Sequence, residues 1–247
     1  IGTVRKETQL QEVNNLVVGK TFGYLLDVNN RQQVNETIAT VIEQFGKIDV
    51  LVNNAGYGFF GGIEESDMEN VRAQMETNFF GALAVTQAVL PFMRKQKRGH
   101  VIQISSIAGI SSTPGLGIYN ASKFALEGFS EALYYEVAPL GIHVSLVEPG
   151  PFRTLWAGAS MKFAQNKIAD YEPTVGKIEQ MLAARNGRQP GDPVKGSLAI
   201  IQLTETANPP LRLALGKIAI GSIQNKINLL QKELTAWESV SASADYE

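Results

Sequence analysis

The chain of 247 residues has no cysteine and only two histidines, His100 and His143. The missing cysteines exclude disulfides, thiolate catalysis and Cys-ligated zinc, and they fit a reducing cytoplasm. Two histidines put a multi-histidine metal site out of reach. No apolar run is long enough to cross a bilayer and no signal peptide is recognised, so a cytoplasmic protein without a membrane span is expected. Net charge is −2 with the basic residues scattered, and no basic face points to nucleic acid. What is abundant is apolar surface. With 44% hydrophobic residues the chain can bury a sizeable core.

Apolar runs alternate with amphipathic stretches along the whole chain, the pattern of a parallel sheet wrapped by helices. Strands are expected at Phe22–Val28, Ile48–Ala55, Val101–Ser106, Val144–Val147 and Leu211–Leu215. Their nearly continuous Val, Ile and Leu content suits strands covered on both faces. Asn30 can cap a helix that runs to Phe45 and stops at Gly46. Ser66 with Glu69 reads as a capping box for a helix that continues past Asn78 toward Lys95. Tyr119–Leu140 repeats apolar residues at helical spacing and ends at Gly141, and Asp192-Pro193 opens another helix. A last amphipathic stretch covers Ile223–Trp237, and Ser239–Glu247 reads as a frayed tail. The irregular segment Pro151–Pro190, with a short helix near Val175–Arg185, has the length of a lid or binding loop. No repeat or linker divides the chain, so one domain spanning residues 1–247 is expected.

The most specific pattern is Tyr119-Asn120-Ala121-Ser122-Lys123, with Ser106 thirteen residues before it. Tyr119 and Lys123 stand one helical turn apart on the same face. A tyrosine of ordinary pKa, about 10, is a poor acid–base group at neutral pH, and a nearby ammonium lowers that value. A serine hydroxyl at the same point could hold a substrate oxygen. These are the parts for moving a proton on or off a carbonyl oxygen while a hydride moves elsewhere. Alone, such a tyrosine–lysine pair is common on exposed helices. Here four successive strands also end in small, polar or turn-forming residues at one sheet edge: Asp27, Asn53-Asn54-Ala55-Gly56, Ser105-Ser106 and Pro149-Gly150. That edge is where open parallel sheets bind ligands.

From Asp27 through Pro149-Gly150-Pro151-Phe152-Arg153-Thr154 the sequence resembles the short-chain dehydrogenase/reductase family, most closely the branch of retinol and 17β-hydroxysteroid dehydrogenases. The resemblance implies a Rossmann-like, doubly wound α/β/α sandwich around a parallel sheet. It implies Tyr119 as general acid/base, Lys123 as the cation beside it and a ligand of the nicotinamide ribose, and Ser106 at the substrate carbonyl. Asn78, in Thr77-Asn78-Phe79-Phe80-Gly81, would interrupt its helix and hold a relay water. Asn53, Ala55 and Gly56 would line the cofactor, Asp27 and Val28 would contact adenine, and Thr154 after Pro149-Gly150 would meet the carboxamide. Family relatives pair through helices matching Asn78–Lys95 and Tyr119–Leu140, which makes a homodimer or homotetramer plausible.

The family's opening strand and Thr-Gly-x-x-x-Gly-x-Gly turn have no counterpart, and Gly2-Thr3-Val4-Arg5 resembles the end of its second strand. The chain is therefore expected to be a fragment, lacking a strand–helix unit of roughly 30 residues; a sheet that closes without that strand would refute this. Gly56-Tyr57-Gly58-Phe59-Phe60-Gly61 imitates a phosphate loop but does not run straight into a helix, as such a loop must. No acidic residue occurs in Thr3-Val4-Arg5-Lys6. Arg5 there favours NADP(H) over NAD(H), with a surface arginine as the equally simple reading. Trp156, Met161, Phe163, Phe59 and Phe60 could line an apolar pocket for an alcohol or ketone, or pack a lid. Two rival readings stand beside the reductase. A serine hydrolase would need a Gly-x-Ser-x-Gly elbow, which is absent, and a histidine at the opposite edge from where both lie. A non-catalytic scaffold for protein contact is the other.

Overall fold

Strands that are apolar on both faces must be covered on both faces, and helical crossovers supply the cover. A computed structural model describes residues 1–246. In chain order the elements are β1 (Gly2–Val4), α1 (Leu10–Leu16), β2 (Gly23–Leu25), α2 (Arg31–Phe45), β3 (Val50–Asn53), β4 (Phe59–Phe60), α3 (Met68–Met75), α4 (Ala82–Gln96) and β5 (Gly99–Ile104). They continue with α5 (Gly117–Val137), β6 (Ile142–Pro149), β7 (Lys162–Phe163), α6 (Lys177–Arg185), α7 (Pro193–Glu205), β8 (Arg212–Leu215) and α8 (Lys217–Ala242).

Every strand pairing is parallel. The principal sheet has the order β3-β5-β6-β8, while β1-β2 and β4-β7 form separate two-stranded ribbons. Neighbouring residues of one strand feed opposite layers. Val101 of β5 packs with Val144, Met93 of α4 and Leu133 of α5. Ile102, the next residue, packs with Val147, Leu215 and Leu203 of α7. Both are fully buried, each worth about 1.5–3 kcal/mol of transfer free energy. The result is the expected α/β/α sandwich, with all five expected strands present to within a few residues.

Several local expectations are corrected. Asp67, not Ser66, caps α3: its carboxylate accepts the Asn70 amide at 2.8 Å, while the Ser66 hydroxyl donates back to the Gly62 carbonyl. The final helix begins at Lys217 and extends to Ala242, into the first four residues of the supposed tail; Glu247 lies outside the described residues. β1 and β3 do not pair, and the alternate residues Val50 and Val52 of β3 are 38% and 44% exposed. That strand is thus covered on one face only, contrary to the expectation of two. Asn30, Gly46, Asp192 and Gly141 terminate their helices as expected.

Gly115 lies in the turn that launches α5. It has φ of +79°, and a Cβ there would stand 2.3 Å from Phe60 Cζ. Its carbonyl also accepts the Gly61 amide at 2.8 Å. Gly115→Ala is expected to cost about 1–3 kcal/mol through backbone strain and overpacking, read as a lower urea midpoint at unchanged slope.

Candidate active site

Helix α5 buries one face against the sheet: Tyr119, Ser122, Lys123, Leu126, Glu127 and Ser130 all lie inward. Tyr119, Lys123 and Glu127 follow at four-residue steps and form a single buried row, each at most 6% exposed. An ammonium taken out of water needs hydrogen bonds and opposite charge. Lys123 Nζ donates to the Ile104 carbonyl at 2.7 Å and stands 5.9 Å from the centre of the Tyr119 ring. Burial pulls its pKa down to about 8, against the Glu127 carboxylate, which raises it. Tyr119 is pushed up to about 12 by burial, opposed by the Ser106 hydroxyl. The expectation of a lowered phenol is therefore not met in this state. Desolvation outweighs an ammonium whose hydrogen bond goes to a carbonyl.

The remaining expected residues fall into two groups. Gly56, Ser106, Tyr119, Lys123, Pro149, Gly150 and Thr154 line one cavity of about 680 Å³. Ser106 opens the turn after β5, its Oγ accepting the Ala108 amide at 3.1 Å. The other residues are spent elsewhere or lie apart. Asn53 turns into the protein, where Nδ2 donates to Thr86 Oγ1 at 2.8 Å and Gln103 Oε1 at 3.0 Å; neither it nor Ala55 lines the cavity. Asp27 closes a turn by accepting the Asn29 amide at 3.0 Å, and Val28 edges a small hollow beside Glu76 and Phe80. Arg5 follows β1 and lies close enough for its charge to pull the Tyr57 phenol downward, against the larger upward effect of burial.

Asn78 sits in a π-helical turn, Glu76–Gly81, that breaks the path from α3 to α4. Its Oδ1 accepts the Tyr57 amide at 3.1 Å, and Nδ2 donates to the Tyr57 carbonyl at 3.0 Å and to Ser122 Oγ at 3.1 Å. It clamps the loop after β3 to α5. A Cβ on Gly56 would lie 3.1 Å from Asn78 Oδ1 and 3.8 Å from Lys123 Nζ, so glycine here keeps the floor of the cavity thin.

Of the five apolar candidates, Trp156 lines the cavity, its ring 5.0 Å from that of Tyr119. Met161 packs behind it with Phe60, Leu116 and Tyr119. Phe59 and Phe60 form β4, which holds β7, and the Phe163 ring of β7 lies tilted against that of Phe60 at 5.9 Å. α6 adds Ile178, Met181 and Leu182 to the lining. The imitation phosphate loop is explained by packing. A Cβ on Gly58 would meet the Trp156 ring at 2.8 Å, and one on Gly61 would meet Ala164 at 2.5 Å. Two buried groups escaped the sequence reading. Arg212 of β8 pairs with Glu127, with Glu148 at 3.0 Å and with Glu131 at 2.7 Å, and burial pushes Glu127 up to about 7. Asn120 ties α5 to the Ser106 turn, donating to the Ala108 carbonyl at 2.8 Å. No local pattern marks Glu127, because its partner Arg212 is 85 residues away.

The family model described as short chain dehydrogenase matches residues 3–164. The chain belongs to that family. It is 41% identical over 206 residues to 3-ketodihydrosphingosine reductase of Bacteroides thetaiotaomicron, covering 81% of this chain and 75% of the relative. It is 34% identical over 220 residues to human retinol dehydrogenase 8, covering 84% and 68%. A crystal structure of a short-chain dehydrogenase from Streptomyces avermitilis superimposes with a TM-score of 0.92 at 38% identity, over 99% of this chain and 88% of the other. ElxO with NADP bound does so at 0.69 and 26%, over 86% and 85%. The family places the chain among nicotinamide-dependent oxidoreductases, with the nucleotide's choice left to the residues themselves. Gly56, Pro149, Gly150 and Thr154, with the Lys123 ammonium among them, are the wall residues that could hold a nicotinamide group. No helix among the described residues is long and apolar enough to cross a membrane.

The histidines lie at the strand starts, away from this edge. His100 Nε2 is 3.0 Å from Ser145 Oγ, and burial with the adjacent His143 holds its pKa down at about 4. Below pH 6.5 the unfolded chain takes a proton at His100 that the folded chain refuses, so stability falls as pH drops from 6.5 toward 4. Up to about 3 kcal/mol is expected to go this way. The loss should shrink in His100→Gln, measured by urea unfolding across that range.

Proposed function

We propose that the chain is an NADP(H)-dependent oxidoreductase that interconverts an apolar ketone and its secondary alcohol, working in the cytoplasm. The observation that carries this is the convergence of Tyr119, Ser106 and Lys123 on one mainly apolar cavity. When bound, the nicotinamide supplies or accepts the hydride at the carbonyl carbon. Ser106 holds the substrate oxygen, and Tyr119 gives it the proton in reduction and takes it back in oxidation. Lys123 stabilises the phenolate left behind and holds the ribose hydroxyls. Asn78, through the Tyr57 carbonyl, would steady a water that resupplies the proton to Tyr119 by way of Lys123, which passes one proton on as it takes one up. Trp156, Ile178, Met181 and Leu182 exclude bulk water and favour an apolar substrate, and the names of the sphingoid and retinol relatives point the same way. Asp27 and Val28 are assigned to adenine, and Gly56, Pro149, Gly150 and Thr154 to the nicotinamide end. Asn53 and Ala55 then act as supports. Arg5 in place of an acidic residue favours the extra phosphate of NADP(H). Exposed Phe80, Phe124 and Tyr135 on the α4 and α5 side support assembly of like chains there.

NADPH oxidation with a panel of long-chain ketones tests this reading. Tyr119→Phe is expected to lower turnover by about 10²–10⁴-fold with stability intact; unchanged turnover would refute the assignment. Arg5→Glu should raise the KM for NADPH and leave that for NADH unchanged or lower. Equal effects on both would remove Arg5 from phosphate recognition.

A further inference from the structure

Helix α8 is 26 residues long and buries only Ala219. Its first turns rest on the body through Ala219, with Ser222, Ile223 and Lys226 half-buried, and from Ile227 to Ala242 every residue is exposed. This outer half is not polar. Ile227, Leu230, Leu234 and Trp237 are each more than half exposed. With Ile220 and Ile223 they make a row at steps of three, four, three, four and three, the spacing of a coiled-coil seam. A helix standing alone in water is marginal even with good helix formers, and a seam this regular calls for a helical partner.

We propose that α8 pairs antiparallel with α8 of a second copy of this chain. The residues flanking the seam select both partner and direction. When Ile227 faces Leu230 of the other copy, Ile223 faces Leu234 and Ile220 faces Trp237. Lys226 then flanks Glu233, Lys217 flanks Glu238, and Gln224 flanks Gln231. By two-fold symmetry each of these contacts occurs twice, so every flanking pair is complementary. In a parallel pair Glu233 would flank Glu238 twice, and Lys226 would find only Gln231. The antiparallel arrangement also lays each protruding outer half over the anchored half of the partner, with the two bodies at opposite ends. A membrane surface suits the helix less well. Its polar face carries Asn225, Asn228 and Thr235 rather than a cationic band, and three lysines are nearly balanced by two glutamates. The surface is separate from α4 and α5, and the proposal stands whether or not the reaction above is correct.

The lack of cysteine makes the test direct, because any introduced thiol is the only one in its chain. Full-length Ile220→Cys and Trp237→Cys proteins are oxidised separately and mixed. Disulfide-linked dimers are expected in the mixture and not in either protein alone. Cross-linking of each variant to itself would show parallel pairing and overturn the proposal. Sedimentation gives the second readout. Leu230→Glu/Leu234→Glu should weaken self-association by at least about tenfold. Lys226→Glu and Glu233→Lys should each weaken it alone and restore it when the two proteins are mixed. A wild-type mass unaffected by Leu230→Glu/Leu234→Glu, or charge variants that do not rescue one another, would overturn it. So would α8-dependent flotation with anionic vesicles in place of self-association.

Discussion

A lysine ammonium buried beside a tyrosine ring is the constraint on which the site is built. Burial alone would neutralise Lys123, and the structure opposes this with two groups. The Ile104 carbonyl at the end of β5 accepts a hydrogen bond from it at 2.7 Å, and the Glu127 carboxylate lies one turn along the same helix. Glu127 is in turn one of three carboxylates gathered on Arg212, and it and Glu148 are both buried. The guanidinium, held charged by these neighbours, lets α5 press a polar row against the sheet. Without it, Glu127 and Glu148 would face each other nearly dry, and an unpaired buried charge is costly.

That row sets the geometry around it. Because Lys123 reaches back to β5, Tyr119 one turn earlier stands over the end of the same strand, where the Ser106 turn begins. Asn120 fastens that turn to α5, and Asn78 fastens the loop after β3 to it through Tyr57 and Ser122. The ends of β3 and β5 are thus fixed relative to one phenol. The apolar wall comes from elsewhere. It is the segment after β6, anchored by the short β4–β7 pairing and closed by α6, that brings Trp156 within 5.0 Å of the Tyr119 ring.

The sandwich and the heart of the site were legible because both are written in local patterns. Continuous apolar runs mark β5 and β6, four-residue spacing marks the buried face of α5, and strand-end residues such as Ser106 and Pro149-Gly150 mark the edge. What escaped depended on distant partners. Asn53 looks like a site residue by its place at a strand end, but Thr86 and Gln103 claim its amide. Asp67 wins the cap from Ser66 because Ser66 finds a nearer carbonyl at Gly62. The two-residue strands β4 and β7 carry too little periodicity to be read, and of β1 the segment Gly2-Thr3-Val4 was visible only through family resemblance. The raised Tyr119 phenol was out of reach, since it depends on burial and on the direction of one lysine proton.

The proposed reaction requires the cavity beside the buried Tyr119–Lys123 row to take a nicotinamide cofactor. Trp156 lines that cavity, and Trp237 far along α8 is the only other tryptophan, so a Trp237→Phe protein carries its reporter in the cavity wall. Titration of that protein with NADPH, followed by Trp156 emission, reads cofactor binding at that wall. Saturable quenching is expected, with energy transfer to the reduced nicotinamide, and it should weaken in Lys123→Met. An emission spectrum unchanged by NADPH, or quenching equally strong without Lys123, would contradict it.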